Sequence, residues 1–205
     1  MLFPTLLLED GLEVEQHLND EKCGRQYYTL EYFLTTFKPA PTVFKKVFWN
    51  ILNALSEEAC NGRIQMQMHA NSIYIDCQTL DVTLEPDCDV VKIDNPYAEY
   101  PVDIRGMVEN SMQIAPEEAC YNICSVYTPY FKLGQMLSDL INHTEFLLVS
   151  ITKDFYEEME LNNVFSYICE SNHLLRGDNV NNILLGNHQY FNGIKEMNFN
   201  FNNIF

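Results

Sequence analysis

The chain has 205 residues, 47% of them hydrophobic and 13% aromatic, and carries 12 basic against 29 acidic side chains, a formal net charge of −17. That apolar content is enough for a sizeable core and excludes a largely disordered protein. The charge argues against a general nucleic-acid coat or an anionic membrane surface as partner, while a local basic face inside an acidic whole stays open.

Met1–Leu8 contains an apolar run, but Glu9 and Asp10 follow it, with no basic n-region and no small-residue cleavage site, so it is not read as a signal peptide. Pro4 places a strand over Leu2–Leu8 at a sheet edge, and Glu9–Cys23 reads as an acidic stretch with a short helix over Leu12, Val14 and Leu18. Tyr27–Phe37, rich in Tyr, Phe and Thr, reads as a strand. Lys38-Pro39-Ala40-Pro41 is a stiff connector.

The clearest pattern in the chain follows. Pro41 and Thr42 open a helix in which Val43, Phe44, Val47, Phe48, Ile51, Leu52 and Leu55 share one face, and Gly62 stops it. The opposite face carries Lys45, Lys46, Asn53 and Ser56, and also Trp49, about 150° from the centre of the apolar stripe at roughly 100° per residue. Two readings of Trp49 stand side by side: a second layer or the chain's own tail covers it, or it meets a partner or DNA. The period then changes to two. Ile64, Met66 and Met68, then Ile73, Ile75 and Cys77, then Leu80, Val82 and Leu84 alternate with polar residues, which predicts a three-strand antiparallel meander with a turn at Asn71-Ser72. The helix is expected to bury its stripe on that meander.

Asp89–Ile93 reads as a further strand edge, Asp94–Pro101 as a loop, and Val102–Ser111 as a short helix weakened by Gly106. Pro116-Glu117-Glu118 looks like a helix start, although Tyr121, Ile123, Ser125 and Tyr127 also alternate as a strand would. Thr128 as N-cap with Pro129 behind it starts a second amphipathic helix, running to about Asn142 and burying Leu133, Met136, Leu137, Leu140 and Ile141. Glu145–Thr152 reads as a short buried strand. Lys153–Glu170 fits helix and strand alike. From Asn179 the composition shifts: nine of the last 27 residues are Asn, mixed with Phe. Residues 1–178 are therefore taken as one α+β domain, with sub-units at about 25–111 and 119–178, and residues 179–205 as a C-terminal arm that docks on the body or on a neighbour.

The chemistry legible in these residues is sparse. The cysteines at 23, 60, 77, 88, 120, 124 and 169 are odd in number and lack a secretion signal, which fits a reduced intracellular setting in cytoplasm or nucleus. In that setting Asn142-His143-Thr144 and Arg176-Gly177-Asp178 match the glycosylation sequon and the adhesion tripeptide by chance. No apolar run approaches the roughly 20 residues that cross a bilayer, so no membrane partner is expected. Cys120-x-x-x-Cys124 is the one close cysteine pair and has no second pair near it, so no metal site is expected. No local signature joins Cys77 or Cys124 to a histidine as a nucleophile would require. No glycine-rich phosphate loop, serine-hydrolase elbow or Walker lysine is present, and no cofactor is implied.

The order of elements resembles a known family. Strand Tyr27–Phe37, helix Val43–Leu55 and strands Arg63–His69, Ser72–Cys77 and Thr79–Glu85 are similar to one βαβββ unit of a sliding clamp of the proliferating-cell nuclear antigen type. Val43-Phe44-Lys45-Lys46-Val47 resembles that family's first inner helix. Thr128-Pro129-Tyr130-Phe131-Lys132-Leu133 with Phe146–Ser150 resembles the helix and strand of a second domain. The resemblance implies a DNA channel lined by helix lysines, a role open to Lys45 and Lys46.

The expectation is thus an α+β protein whose antiparallel sheet is packed by at least two amphipathic helices. Its expected role is non-enzymatic: assembly with itself or with other proteins, in its most specific form a clamp-like replication or repair factor with Lys45, Lys46 and Trp49 facing DNA or a partner. The alternatives are a small enzyme using Cys77 or Cys124 with a histidine, and an acidic nucleic-acid mimic that binds a basic protein.

Overall fold

The structure is a computed structural model. It describes residues 27–85, 90–105, 113–144 and 146–194, together with the backbone of two strands, β1 (Thr5–Leu7) and β2 (Glu13–Glu15). Helices and small antiparallel sheets alternate in an α+β arrangement, as composition and periodicity predict. The two opening strands pair with each other, Leu6 opposite Val14. The second of them is a strand at Glu13–Glu15, within the stretch where a short helix is expected; the rest of Glu9–Cys23 lies outside the described residues. The helix expected at Val102–Ser111 falls mostly outside the described residues.

Strand β3 is only Tyr27–Thr29. The strand expected to run on to Phe37 ends there because Thr29 caps a helical turn: its hydroxyl accepts the Tyr32 N–H. The chain continues as α1 (Leu30–Tyr32) and a wide helical turn over Phe33–Phe37, burying Leu30, Phe33 and Leu34. The rings of Tyr28, Tyr32 and Phe37 pack on one another with centroids 5.2–5.6 Å apart.

Helix α2 spans Pro41–Cys60, starting and stopping where Pro41 and Gly62 predict. Gly62 takes φ +75°, and a Cβ there would lie 2.9 Å from the Ile93 carbonyl, so both its backbone and its closeness to the next strand call for glycine. The predicted stripe is buried from Val43 to Leu55. Each large apolar side chain removed from water contributes about 2 kcal/mol, which makes this helix the main stabilising element.

The meander is divided between two sheets. Strand β4 (Arg63–Gln65) pairs with β7 (Val90–Lys92), Ile64 opposite Val91, whereas β5 (Ile73–Asp76) lies between β3 and β6 (Val82–Leu84). Met66 and Met68 are buried although they lie beyond the end of β4, so the alternation continues into a loop that leaves the sheet. A third pair joins β8 (Tyr100–Pro101) to β9 (Ile123–Cys124).

Helix α3 (Pro116–Tyr121) begins at the expected Pro116, and α4 (Thr128–His143) begins at the expected Thr128-Pro129 and buries Leu133, Met136, Leu137 and Ile141. The strand expected at Glu145–Thr152 is instead a short helix, α5 (Leu147–Ile151). Leu147 and Ile151 are fully buried while Val149 between them is 75% exposed, a helical and not a two-residue alternation. Phe146, at φ +63°, turns the chain into it.

Two helices complete the body, α6 (Phe155–Ile168) and α7 (His173–Leu184). Gly134 lets α6 approach α4: a Cβ there would lie 2.8 Å from Ile168 Cγ1 and would collide with Cys169 Sγ. Helix α7 runs through the boundary expected at 178/179, and Val180, Ile183, Tyr190, Phe191 and Ile194 join the main core. Residues 195–205 of the expected arm lie outside the described residues. No helix among the described residues is long and apolar enough to cross a membrane.

Candidate functional site

Two polar assemblies stand out inside this frame. The first is the loop that leaves β4 and enters β5. Met66 and Met68 anchor it inward, Gln67 between them is half-buried, and His69 is exposed. A single 3-10 turn, Ala70–Ser72, closes it, with the Ser72 N–H donating to the His69 carbonyl at 3.0 Å. Gln65 Nε2 donates to the Glu85 carbonyl at 2.9 Å, and the Glu85 N–H donates to the Ser72 carbonyl at 2.9 Å, so both ends of the loop are tied to the end of β6.

The second is a knot of buried charge behind that loop. Glu117 and Glu118 lie in the first turn of α3 and are respectively 2% and 0% exposed. Arg176 of α7 meets Glu117 in a two-pronged pair, Nη1 to Oε1 at 2.7 Å and Nη2 to Oε2 at 3.1 Å. The Thr128 hydroxyl donates to the same Glu117 oxygen at 2.7 Å while accepting the Ser125 N–H. Thr128 therefore ties two segments together in place of the simple N-cap that the sequence suggests. Arg176 Nε reaches the Glu170 carbonyl at 2.8 Å, and its guanidinium lies over the Phe131 ring at 4.8 Å. Glu118 pairs with Lys132 at 2.8 Å and accepts the Ala115 N–H at 2.7 Å. Lys132 Nζ also donates to the Met66 carbonyl at 2.6 Å, so the knot reaches into the first assembly.

Electrostatics divides the two carboxylates. Burial pushes Glu117 up, but the Arg176 guanidinium and the Thr128 hydroxyl outweigh it and hold the carboxyl below its ordinary value. Burial also pushes Glu118 up, and there the Lys132 ammonium opposes the rise without cancelling it.

The candidate binding face of α2 is occupied by the protein itself. Trp49 is 5% exposed and packs on Phe191 at 5.1 Å between centroids, so the cover comes from the chain's own C-terminal part, the first of the two readings of this residue. Lys45 forms an ion pair with Glu157 of α6 and lies 4.5 Å from the centre of the Tyr190 ring. Lys46 is half-buried. The three residues thus share a helix, but two of them are engaged by α6 and by the 3-10 turn Gln189–Phe191.

The two cysteines considered as nucleophiles are buried and held as thiols. Burial, reinforced by Asp76, pushes the Cys77 thiol up to about 12, and burial, with Glu118 beside it, pushes Cys124 up to about 12. Neither forms thiolate near neutral pH, so neither suits the role of nucleophile. Cys120 is exposed on α3 while Cys124 is buried in β9, so the pair shares no helix face. Among the described residues no cluster of His, Cys, Asp and Glu could hold a metal ion.

No family model matches the chain, and no curated protein does. Solved structures do match, in 56 chains. One is a divergent kinase from Toxoplasma that lacks the glycine-rich loop and regulates membrane ultrastructure of the parasitophorous vacuole; it superposes with a TM-score of 0.52 at 16% identity, over 85% of this chain and 49% of its own. The fold is kinase-like. The chain spans about half the length of that kinase.

This overturns the sliding-clamp resemblance and the replication role drawn from it. A clamp unit would need the three strands after α2 to form one meander, and here β4 leaves to pair with β7. The fold likeness likewise lends no support to the cysteine enzyme or to the nucleic-acid mimic. One sequence signal was available: Ala115-Pro116-Glu117 spells A-P-E, a signature tripeptide of protein kinases, and composition and periodicity registered only a helix start there.

Proposed function

We propose that this chain is a kinase-fold module that acts by contact with other proteins and does not transfer phosphate. The observation that carries the proposal is the content of the β4–β5 loop. Protein kinases place H-R-D-L-x-x-x-N between two strands, the Asp accepting the substrate proton and the Asn holding a magnesium ion. Gln65-Met66-Gln67-Met68-His69-Ala70-Asn71-Ser72 has the same length and the same strand on either side. In that register an amide, Gln67, stands for the base, and a hydroxyl, Ser72, for the metal-binding amide. An amide cannot take up a proton at neutral pH, and one hydroxyl without a carboxylate is a poor magnesium ligand. The A-P-E tripeptide retains its Glu as a buried structural charge.

One observation supports protein contact. Phe155 and Tyr156 at the start of α6 are each 73% exposed, and Val149 and Phe146 just before them are 75% and 64% exposed, a concentration of large apolar side chains typical of interaction surfaces. The five cysteines among the described residues are all free, which suits a reducing, intracellular compartment.

The test is an incubation of the purified chain with magnesium and labelled ATP, with and without a basic acceptor protein, alongside thermal melts with magnesium–ATP. No label transfer and no rise in Tm are expected. Transfer that co-purifies with the chain and disappears in Gln67→Ala would overturn the proposal.

A further inference from the structure

Helices α6 and α7 lie side by side, and a cavity of about 400 Å³ opens between them, closed at one end by the segment that leaves α7. Its lining is unusual in kind. From α6 come Asn163 and Tyr167, with Glu160 one turn earlier; from α7 come Asn179 and Asn182; from the closing segment come Asn187, His188 and Gln189. Five carboxamides thus face one small space, with a phenol, an imidazole and a single carboxylate and no Lys or Arg.

Two features set this cavity apart from the rest of the protein's surface. Asn is a poor helix former because its side chain competes for backbone hydrogen bonds, yet Asn163, Asn179 and Asn182 all sit inside helices. Asn162 and Asn181 of the same helices lie off this cavity, so what marks the place is the convergence of five carboxamides on one space. The amides are also available. Among the described residues, the side chains of Asn163, Asn182, Asn187 and Gln189 make no hydrogen bond to the protein, and Asn179 makes one long one, Nδ2 to the Tyr167 carbonyl at 3.5 Å. His188 accepts the Tyr190 N–H at Nδ1 (3.2 Å), which puts its ring proton on Nε2 as a donor. Burial holds this imidazole below its ordinary pKa against the pull of Glu160, so it is neutral near neutral pH.

We infer that this cavity binds a small neutral polyhydroxylated ligand, a mono- or disaccharide. Each sugar hydroxyl both donates and accepts, and each carboxamide offers two donors and an acceptor, so the two are matched in kind. Glu160 adds an acceptor for paired hydroxyls, and the edge-on pair Tyr167–His188, 5.5 Å between centroids, gives an apolar wall for the sugar's C–H face. The size falls at the low end of small-molecule sites. With no cation in the lining and a chain of net charge −17, anionic sugars and nucleotides are disfavoured. The inference is independent of the absence of phosphoryl transfer and stands or falls by a different measurement.

The experiment is an NMR titration of the ¹⁵N-labelled full chain, in which Asn and Gln side-chain amides give their own signals. Maltose, chitobiose, mannobiose and, as a separate arm, adenosine are added at millimolar concentration. Saturable shifts confined to the amides of the cavity are expected with at least one disaccharide, with affinity weakened about tenfold or more in Asn163→Ala/Asn182→Ala. The same variant is expected to melt at a higher temperature than the parent, because Ala is the better helix former; a lower melting temperature would mean that these amides serve the fold, and would overturn the site. Shifts with adenosine alone would overturn the saccharide assignment. No shift with any probe would overturn the site altogether.

Discussion

The buried knot around Glu117 and Glu118 and the cavity between α6 and α7 are both rich in polar groups, and they are opposite in character. In the knot every charge is buried and matched: Arg176 against Glu117, Lys132 against Glu118, with Thr128 and three backbone carbonyls, those of Met66, Tyr127 and Glu170, completing the set. In the cavity the polar groups other than Glu160 are uncharged, and they are open to solvent and mostly unmatched within the protein. Buried groups that are fully satisfied hold a structure in one arrangement, and their removal is felt as instability. Exposed groups left without partners contribute little to folding and are free to meet a ligand.

Substitutions can break that contrast. The largest effect is expected at Arg176→Ala, which leaves Glu117 charged and buried without its partner and should lower unfolding stability by about 3–5 kcal/mol; urea denaturation measures it. A loss below 1 kcal/mol would mean that the knot is not the framework described here. Lys132→Met should cost somewhat less, about 2–3 kcal/mol, because Glu118 is already pushed toward its neutral form and can take a proton. Adding Glu118→Gln to that variant should recover part of the loss.

Acidity sharpens the same point. The folded pKa of Glu117 is depressed, so its contribution is present above the ordinary Glu value and is lost as pH falls through that value and on through the folded one. Glu118, raised, acts in the opposite sense: its ionisation opposes folding as pH rises. Chemical denaturation from pH 6 downward should therefore show a steeper acid loss in the parent than in Glu117→Gln, with the variant less stable at neutral pH. Equal slopes would show that the Arg176 pairing does not depress Glu117. Gly134→Ala should cost about 1–3 kcal/mol by overpacking α4 against Ile168 and Cys169. The smallest effect, and the only one of opposite sign, is expected at the cavity: Asn182→Ala alone should stabilise by about 0.5 kcal/mol in a thermal melt.

Helix α2, helix α4 and the starts at Pro116 and Thr128-Pro129 were legible because a helix states its own period within a few turns and its own boundaries through Pro and Gly. The buried cysteines were half legible: Cys77 alternates with polar residues on a strand, which places it inside. Helix α5 was not, since five apolar residues fit a buried strand as well as a helix until the neighbours are known. The knot was invisible because its members lie up to 59 residues apart, as Glu117 and Arg176 do, and none carries a local mark of burial. The cavity was hidden for a related reason: Asn179, Asn182 and Asn187 were counted as the start of an arm, Asn163 fell in a stretch that fits helix and strand alike, and only α6 beside α7 turns Asn163 and Asn182 into one wall.

The sequence by itself determined the class, the two amphipathic helices, their limits and most of the core, since each follows from the spacing of apolar residues along a few turns. Tertiary structure decided what those elements pair with. Strands of three residues carry too little pattern to name their partners, so the choice of β7 for β4, and of β3 and β6 for β5, rests on contacts made across the whole chain. The same contacts decided between the two readings of the lone Trp of α2, by bringing Phe191 back across the molecule to cover it.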